Sequence, residues 1–234
     1  MNIILLPVVQ PNDEYWQIND PRQLAHLKQY LNVQVGDQLK IGLLNQARYL
    51  AEIIEITEKE VRIKPLTEQP VPAKLPVTLI VALPRPKVLR RLVMDSVSLG
   101  VDKLVLIHSY RVDKSYWQTP FLAKLDEYVQ LGLEQAGDVF TPEIVLEKRF
   151  KPFVEDRLAI WSKDRPTFVG HPYAEQRMPV AFNQPCQVVI GPEGGFIPYE
   201  IDLMQKNGCQ SMSLGNRILR TETAVATILA RLFS

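Results

Sequence analysis

The sequence predicts an α/β protein in two parts, a small β-barrel domain followed by a larger domain built on a mostly parallel sheet. Short branched runs separated by polar turns fill residues 1–69, whereas apolar strands alternate with helices across residues 77–234. Such alternation is typical of a parallel sheet covered on both faces. Three prolines in residues 70–76 stiffen the backbone and remove amide donors, which predicts a linker between the two domains.

The N-terminal part is predicted to be a meander of short strands with one helix. Residues 2–9 are apolar and predict the first strand. Asp20 followed by Pro21 predicts a helix start, because an aspartate side chain caps free amides and proline suits the first helical position. Closing the strands into a barrel would leave few open edges. Branched residues bounded by polar turns predict three further strands at residues 38–44, 48–56 and 60–66.

The C-terminal part alternates strands and helices in order. Continuous apolar runs indicate buried strands, and helical spacing closed by glycine indicates helices. In such sheets ligands bind beyond the carboxyl ends of the strands. The predicted strands are residues 77–83, 103–108, 143–148, 167–170, 187–190 and 210–214. The predicted helices are residues 87–99, 121–135, 152–161, 198–206 and 222–233.

Composition narrows the class of protein. The 234 residues are 46% hydrophobic and 23% charged, which is close to the globular average and excludes a mostly disordered or collagen-like chain. We expect no membrane span, because no apolar run approaches the roughly 20 residues that cross a bilayer. We expect no signal peptide, because residues 1–7 lack a basic n-region and a small-residue cleavage site. Cys186 and Cys209 are too few for a disulfide scaffold, which indicates a cytoplasmic protein. With a net charge of +1, any anionic partner must be met by a local patch.

The loop at residues 190–196, directly after an apolar strand, is the first candidate site. Gly194 and Gly195 allow positive φ and the close approach of a ligand, and Pro192 stiffens the entry. Glu193 is the only charged residue of the loop and is placed to accept hydrogen bonds from a bound group. The loop matches neither a Walker sequence nor the dinucleotide-binding pattern. The alternative is a tight strand-to-helix turn with a solvent-facing Glu193.

The second candidate loop, residues 214–224, follows another apolar strand and leads into the last helix. Thr221 is a candidate N-cap, and Glu222 suits the positive end of the helix dipole. Arg220 is unusual in this place, because a cation is disfavoured beside a helix N-terminus. It therefore indicates an anionic partner, with an ion pair to Glu222 or Glu193 as the alternative.

Together the two loops resemble the RsmE family of 16S rRNA uridine-N3 methyltransferases, in the SPOUT superfamily. The matching residues are IGPEGGF at 190–196, Leu214-Gly215, and ILRTETA at 218–224. The resemblance implies a PUA-like β-barrel and a SPOUT domain with a C-terminal trefoil knot, in a homodimer with a shared active site. It implies S-adenosylmethionine as cofactor and U1498 in the 16S rRNA of the small ribosomal subunit as target. The implied cofactor-binding residues are His171, Pro172, Ile190, Gly191, Pro192, Glu193, Gly194, Gly195, Leu214, Gly215, Ile218, Leu219, Thr221 and Ala224.

The chemistry of this reaction assigns roles to charged residues of the two loops. In-line methyl transfer from a sulfonium depends largely on positioning and requires no metal or redox cofactor. N3 of uracil carries a proton, so the site must stabilise the uracil anion or remove the proton. We assign the first task to Arg220, acting at the base or at a phosphate. Glu222 or Glu193 is the candidate base, and the sequence does not choose between them.

Basic residues early in the C-terminal part are the candidate RNA contacts. A proline-flanked loop that enters a helix N-terminus is a suitable phosphate site. The candidates are Arg85, Lys87, Arg90, Arg91 and Arg111, with a solvated face as the alternative.

The chain departs from the family pattern at Asn32, Ser98 and Asp138, on segments expected to face RNA, and it lacks an early arginine. Two alternatives therefore stay open. The first alternative is methylation of a different RNA nucleotide, including methylation at a ribose 2′-O position. The second is a non-catalytic module that binds S-adenosylmethionine and RNA.

Overall fold

The structure, a computed structural model, describes residues 2–7 and 13–233. Its backbone contacts divide the chain into two compact units. The N-terminal unit comprises Met1–Ala73 and Leu133–Thr141, and the C-terminal unit comprises Lys74–Gly132 and Pro142–Ser234. The first division falls inside the predicted linker at residues 70–76. One strand ends at Gln69 and the next begins at Leu75, so the connection covers residues 70–74 and is shorter than the predicted linker.

Within the described residues, the N-terminal unit holds a five-stranded sheet and one helix. The strands are β1 (Ile4–Leu6), β2 (Trp16–Ile18), β3 (Gln38–Leu43), β4 (Arg48–Ile56) and β5 (Val61–Gln69), and the helix α1 (Pro21–Ala25) continues as a π-helical turn at His26–Tyr30. The strand order is β1-β3-β4-β5-β2, with β1 and β3 parallel and the other pairs antiparallel. The predicted meander is confirmed, and closure of the sheet into a barrel stays a prediction.

Local chemistry explains where these elements start. The helix start is confirmed at Asp20, whose Oδ1 accepts a hydrogen bond from the Gln23 amide at 2.9 Å. The strand predicted at residues 2–9 is shorter, since β1 covers Ile4–Leu6, and Val8 and Val9 lie outside the described residues. Strand β2 was not predicted, because three residues are too few to show a strand period.

A buried carboxylate fixes the segment Leu133–Thr141 within the N-terminal unit. The Glu134 side chain is 3% exposed and accepts hydrogen bonds from both terminal nitrogens of Arg22, at 2.7 and 2.8 Å. Gln23 Nε2 donates to the same carboxylate at 3.1 Å. A buried charge is tolerated when such partners satisfy it. Arg22 therefore stabilises the unit by pairing Glu134.

Arg22→Ala should lower the free energy of unfolding by about 3 kcal/mol, because it leaves the Glu134 carboxylate buried without its cation. Chemical denaturation of the whole chain measures this loss. The matched control is Arg62→Ala, which breaks an ion pair to Glu55 in which both side chains are well exposed. We expect the control to cost less than about 1 kcal/mol. Equal losses in the two variants would show that burial of Glu134 is unimportant.

The C-terminal unit, as far as the structure describes it, holds a six-stranded sheet. Its strands are β6 (Leu75–Ala82), β7 (Val101–Ile107), β8 (Glu143–Glu147), β9 (Thr167–Gly170), β10 (Cys186–Ile190) and β11 (Gln210–Met212). Its helices are α2 (Pro86–Ser98), α3 (Leu125–Ala136), α4 (Phe150–Pro152), α5 (Ala159–Asp164), α6 (Pro198–Lys206) and α7 (Thr221–Leu232). A π-helical turn at Phe153–Leu158 joins α4 to α5, and 3₁₀ turns at Lys114–Gln118 and Pro120–Lys124 precede α3.

The sheet order is β11-β9-β10-β6-β7-β8, and every pairing between neighbours is parallel. The predicted parallel sheet is therefore confirmed, while the knot stays a prediction. All five residues of β10 are buried, as a central strand covered on both faces requires. This order brings the carboxyl ends of β11, β9 and β10 to the same edge, where the two motif loops begin.

Two further sequence observations bear on the kind of protein. Cys186 and Cys209 are free and buried, and burial raises the pKa of each thiol to about 11. Among the residues described, no helix combines the length and the apolar character that a membrane crossing needs.

Candidate functional site

Three loops in the C-terminal unit, which follow β9, β10 and β11, enclose a pocket of about 290 Å³. Its size is close to the lower end of small-molecule sites. The buried side chains of Ile190, Met212 and Ile228 line it, so part of its wall is apolar. The pocket brings together all of the predicted cofactor-binding residues except Gly215. That these residues bind the cofactor stays a prediction.

The first motif loop is a tight turn closed by backbone contacts. The Gly195 amide donates to the Pro192 carbonyl at 2.8 Å, and Gly195 has a φ of +73°, which favours glycine. A Cβ on Gly191 would lie 3.2 Å from the Phe196 ring, so this glycine allows close packing inside the loop. The loop enters α6, where Glu200 Oε2 accepts from the Ile197 amide at 3.0 Å. The turn therefore has a fixed shape against its helix.

Glu193 is tied to the start of α2. Its Oε1 accepts a hydrogen bond from the Arg85 amide at 3.1 Å and lies 3.8 Å from Arg85 Nε. Arg85 is the N-cap residue of α2, so the carboxylate lies at the positive end of that helix. Glu193 also lines the pocket, which places a negative charge beside any bound ligand.

The second motif loop is connected to the first through α7. Thr221 is the first residue of α7, and its hydroxyl donates to the Gly191 carbonyl at 3.3 Å. Its predicted role as N-cap is wrong, because Arg220 occupies that position without a side-chain cap. Gly215 has a φ of +137° and shapes the turn, with its amide donating to Ser213 Oγ at 3.1 Å. Gly215 thus contributes to the loop's conformation and does not line the pocket.

Arg220 and Glu222 lie beside the pocket without lining it. Arg220 is exposed and has no hydrogen-bond or ion-pair acceptor for its side chain among the described residues. The alternative ion pair to Glu222 or Glu193 is not formed. Glu222 Oε1 instead accepts from Arg91 Nη2 at 2.6 Å, and the Glu222 side chain is 15% exposed. Burial raises the pKa of nearby Asp95 above its ordinary value; Arg91 partly opposes this rise, and Glu222 adds a smaller rise.

The predicted RNA contacts fall into three kinds of environment. Lys87 and Arg90 are exposed on α2, without ion-pair partners in the part of the chain described. Arg85 and Arg91 are exposed but carry the ion pairs just given. Arg111 lines the pocket and donates from Nη1 to the Gly194 carbonyl. Whether these residues bind RNA stays a prediction.

Sequence reasoning missed several pocket residues. Gly170 and Met212 are the last residues of β9 and β11, and the rule that ligands bind at carboxyl ends of strands could have found them. Tyr173 and Arg217 lie in the loops between residues that were predicted. Gly170, Tyr173, Phe196, Met212, Arg217 and Ile228 complete the lining together with Arg111.

His171 is the pocket residue whose protonation the structure affects. Burial lowers the pKa of its imidazole from the ordinary value. The neutral ring is therefore favoured near neutral pH. A neutral imidazole adds no positive charge to the pocket.

The departures from the family pattern have structural roles, which corrects the expectation that all of them alter a surface facing RNA. Asp138 is 3% exposed, and its Oδ1 accepts from the Val139 and Phe140 amides at 2.7 and 3.0 Å. Ser98 Oγ donates to the Gly132 carbonyl at 3.1 Å. Asn32 has a φ of +49°, a conformation that asparagine tolerates better than most residues. Only Asn32 is well exposed among these three.

Comparison with known proteins gives similarity over most of the chain. A family model described as an RNA methyltransferase domain matches residues 71–233, and one described as an RNA methyltransferase PUA domain matches residues 18–66. The ribosomal RNA small subunit methyltransferase E of Treponema pallidum is 29% identical over 222 residues, which are 89% of this chain and 81% of that protein. The protein of the same name from Mesomycoplasma hyopneumoniae is 28% identical over 213 residues, 89% of each chain.

A solved structure shares the fold. The ribosomal RNA small subunit methyltransferase E of Neisseria gonorrhoeae, crystallised with S-adenosyl methionine, is 21% identical and has a TM-score of 0.77. The alignment covers 98% of this chain and 96% of that one. The arrangement of a small β-domain and a parallel α/β domain is therefore common to both chains.

Proposed function

Because the chain belongs to the RNA methyltransferase family, whose domain model covers residues 71–233, we propose that it transfers a methyl group from S-adenosylmethionine to N3 of a uridine in 16S ribosomal RNA. The observation that carries this proposal is the pocket at the carboxyl ends of β9, β10 and β11, which gathers both motif loops around one volume. The relatives are named for RNA of the small ribosomal subunit, and the Neisseria protein was crystallised with S-adenosyl methionine.

The chemistry of the pocket fits this cofactor. The amides of Ile218 and Leu219 donate to no acceptor in the part of the chain described, which leaves them available to a purine ring. The apolar wall of Ile190, Met212 and Ile228 suits the faces of that ring. When bound, the cofactor supplies an electrophilic methyl group on a positively charged sulfur. A neutral His171 avoids placing a second cation beside it.

Two charged residues then act on the RNA. Arg220, exposed and unpaired within the described residues, holds a phosphate or the target base beside the pocket. Glu193 is favoured over Glu222 as acceptor of the N3 proton, because Glu193 lines the pocket and lies 3.8 Å from Arg85 Nε, whereas Glu222 is outside the lining and only 2.6 Å from Arg91 Nη2. Lys87 and Arg90 would bind the RNA backbone on the same unit.

The assembly and location follow from the same assignment. We propose a homodimer with a shared active site on the family assignment alone, because the apolar residues Val225, Ile228, Leu229 and Leu232 of α7 are already buried within the single chain. The substrate would be the small ribosomal subunit, and the reaction would take place in the cytoplasm, where that subunit is found.

Methyl transfer to purified small ribosomal subunits tests the proposal. The purified chain, labelled S-adenosylmethionine and subunits from a strain lacking the modification would be combined, and the digested 16S rRNA analysed by nucleoside mass spectrometry. We expect labelled 3-methyluridine, with large subunits as the unlabelled control. A label on ribose 2′-O would identify a different methyltransferase activity, and cofactor binding without any label would identify a non-catalytic module.

A further inference from the structure

Arg111 is held at the pocket by contacts outside both motif loops. It lies in a turn closed by the Val112 amide, which donates to the Ser109 carbonyl at 3.0 Å. Ser109 and Val112 are buried, so both ends of the turn are anchored while Tyr110 and Arg111 are exposed. The turn follows β7 and therefore lies at the carboxyl edge of the sheet, where the pocket is.

The Arg111 side chain runs along the backbone of Gly194. Its Nη1 donates to the Gly194 carbonyl, and a Cβ on Gly194 would lie 2.9 Å from Arg111 Cδ. A side chain at residue 194 would therefore push the guanidinium from its place. Glycine at position 194 therefore leaves room for the Arg111 side chain, a requirement separate from the shape of the turn.

Glu200 fixes the turn that carries Arg111. Glu200 is only 2% exposed, and its Oε1 accepts a hydrogen bond from the Tyr110 amide at 2.8 Å. Its Oε2 accepts from the Ile197 amide at 3.0 Å, at the end of the first motif loop. One buried carboxylate thus joins the Arg111 turn to the loop that Arg111 contacts.

The charge of Arg111 is left for a ligand. In the described part of the chain, Arg85 is paired with Glu193 and Arg91 with Glu222, whereas Arg111 has no carboxylate partner. Arg111 is exposed while the pocket's apolar wall is buried, so its guanidinium lies on the side from which a large substrate would enter. Tyr110, which is 77% exposed next to it, could stack on a base of that substrate.

We propose that Arg111, which lines the pocket, stabilises the deprotonated uracil during methyl transfer, which leaves Arg220, outside the lining, the contact to a phosphate. Glu200 is then a positioning residue for Arg111. The inference rests on the proposed function. N3 loses its proton to a base or to water, its electron pair forms the bond to the methyl carbon, and the carbon–sulfur bond breaks to leave S-adenosylhomocysteine. The negative charge of uracil exists before the methyl group arrives, and a fixed cation at the pocket lowers its free energy.

Single-turnover methylation with saturating cofactor tests the role of Arg111. At neutral pH, Arg111→Ala should slow the step about a hundredfold, with less than about a threefold change in cofactor affinity. The deficit should shrink as pH rises, because hydroxide then supplies the uracil anion without help. Arg111→Lys should be intermediate, and Arg165→Ala, which changes an exposed arginine away from the pocket, is the control.

Glu200→Gln tests positioning, because an amide can accept from only one of the two backbone donors. We expect a slower step with the same pH dependence as Arg111→Ala, and a double variant no slower than Arg111→Ala alone. Asp202→Asn makes the same change at an exposed residue of α6 and should have no effect. Multiplied losses in the double variant would overturn the positioning role.

The outcomes separate this inference from the proposed function. If the wild-type chain forms no 3-methyluridine, the proposed function fails. If the wild type is active and Arg111→Ala loses cofactor affinity alone, or keeps the wild-type rate, the role of Arg111 fails while the function stands.

Discussion

Gly195→Val should weaken binding of S-adenosylmethionine by about a hundredfold. Gly195 lines the pocket and has a φ of +73°, so a branched side chain both strains the turn and takes volume from a cavity of about 290 Å³. A hundredfold loss corresponds to about 2.7 kcal/mol of binding free energy. Isothermal titration calorimetry with the purified chain measures it directly.

The matched control for this change is Gly36→Val. Gly36 also has a positive φ, +95°, and neither glycine has an atom within 4 Å of an added Cβ. Both variants should therefore lose similar folding stability, about 1–2 kcal/mol from the left-handed backbone. Gly36 belongs to the N-terminal unit, so its variant should bind the cofactor like the wild type. Equal cofactor affinities in the two variants would show that the cofactor lies elsewhere.

Arg220→Ala should reduce kcat/KM for the RNA substrate by about a hundredfold while leaving cofactor affinity within about threefold. Arg220 has no acceptor among the described residues, and it stands at the N-terminus of α7, where its charge is unfavourable without an anionic partner. Arg220 does not line the pocket, so its removal should leave the affinity for the cofactor nearly unchanged.

Steady-state kinetics with small ribosomal subunits measure kcat/KM for the Arg220 variant. Calorimetry measures its affinity for the cofactor. Arg220→Lys should recover part of the rate, because it keeps the charge without the planar group. Arg165→Ala serves as the control for removing an exposed arginine. A weaker cofactor affinity with an unchanged rate would assign Arg220 to the cofactor site.

Strand–helix alternation predicted the parallel sheet, because the central strands β6 and β7 are long, mostly buried apolar runs that stand out from the helices between them. Element ends were less predictable. The strand predicted at residues 60–66 continues to Gln69, because a register shift opposite Leu50 and Ala51 accommodates Pro65 inside β5. No local pattern marks Leu133–Thr141 as part of the N-terminal unit, since its pairing with Arg22 joins residues 112 positions apart.

The candidate site shows the same division between local and distant information. Glycines and apolar residues of the two loops predicted where the pocket lies, because turn chemistry is local. Partners of the charged residues could not be predicted. Arg91 and Glu222 are 131 positions apart, and Tyr110 and Glu200 are 90 apart, so only the fold brings them together. Arg91, a candidate RNA contact by sequence, is thereby an ion-pair partner of Glu222.

Nucleoside mass spectrometry of 16S rRNA from the native host, with and without the gene, tests whether this chain methylates N3 of a uridine in that RNA. We expect 3-methyluridine to disappear on deletion and to return with the wild-type gene, but not with a gene carrying Gly195→Val or Arg220→Ala. An unchanged level of 3-methyluridine in the deletion strain would show that another enzyme forms it.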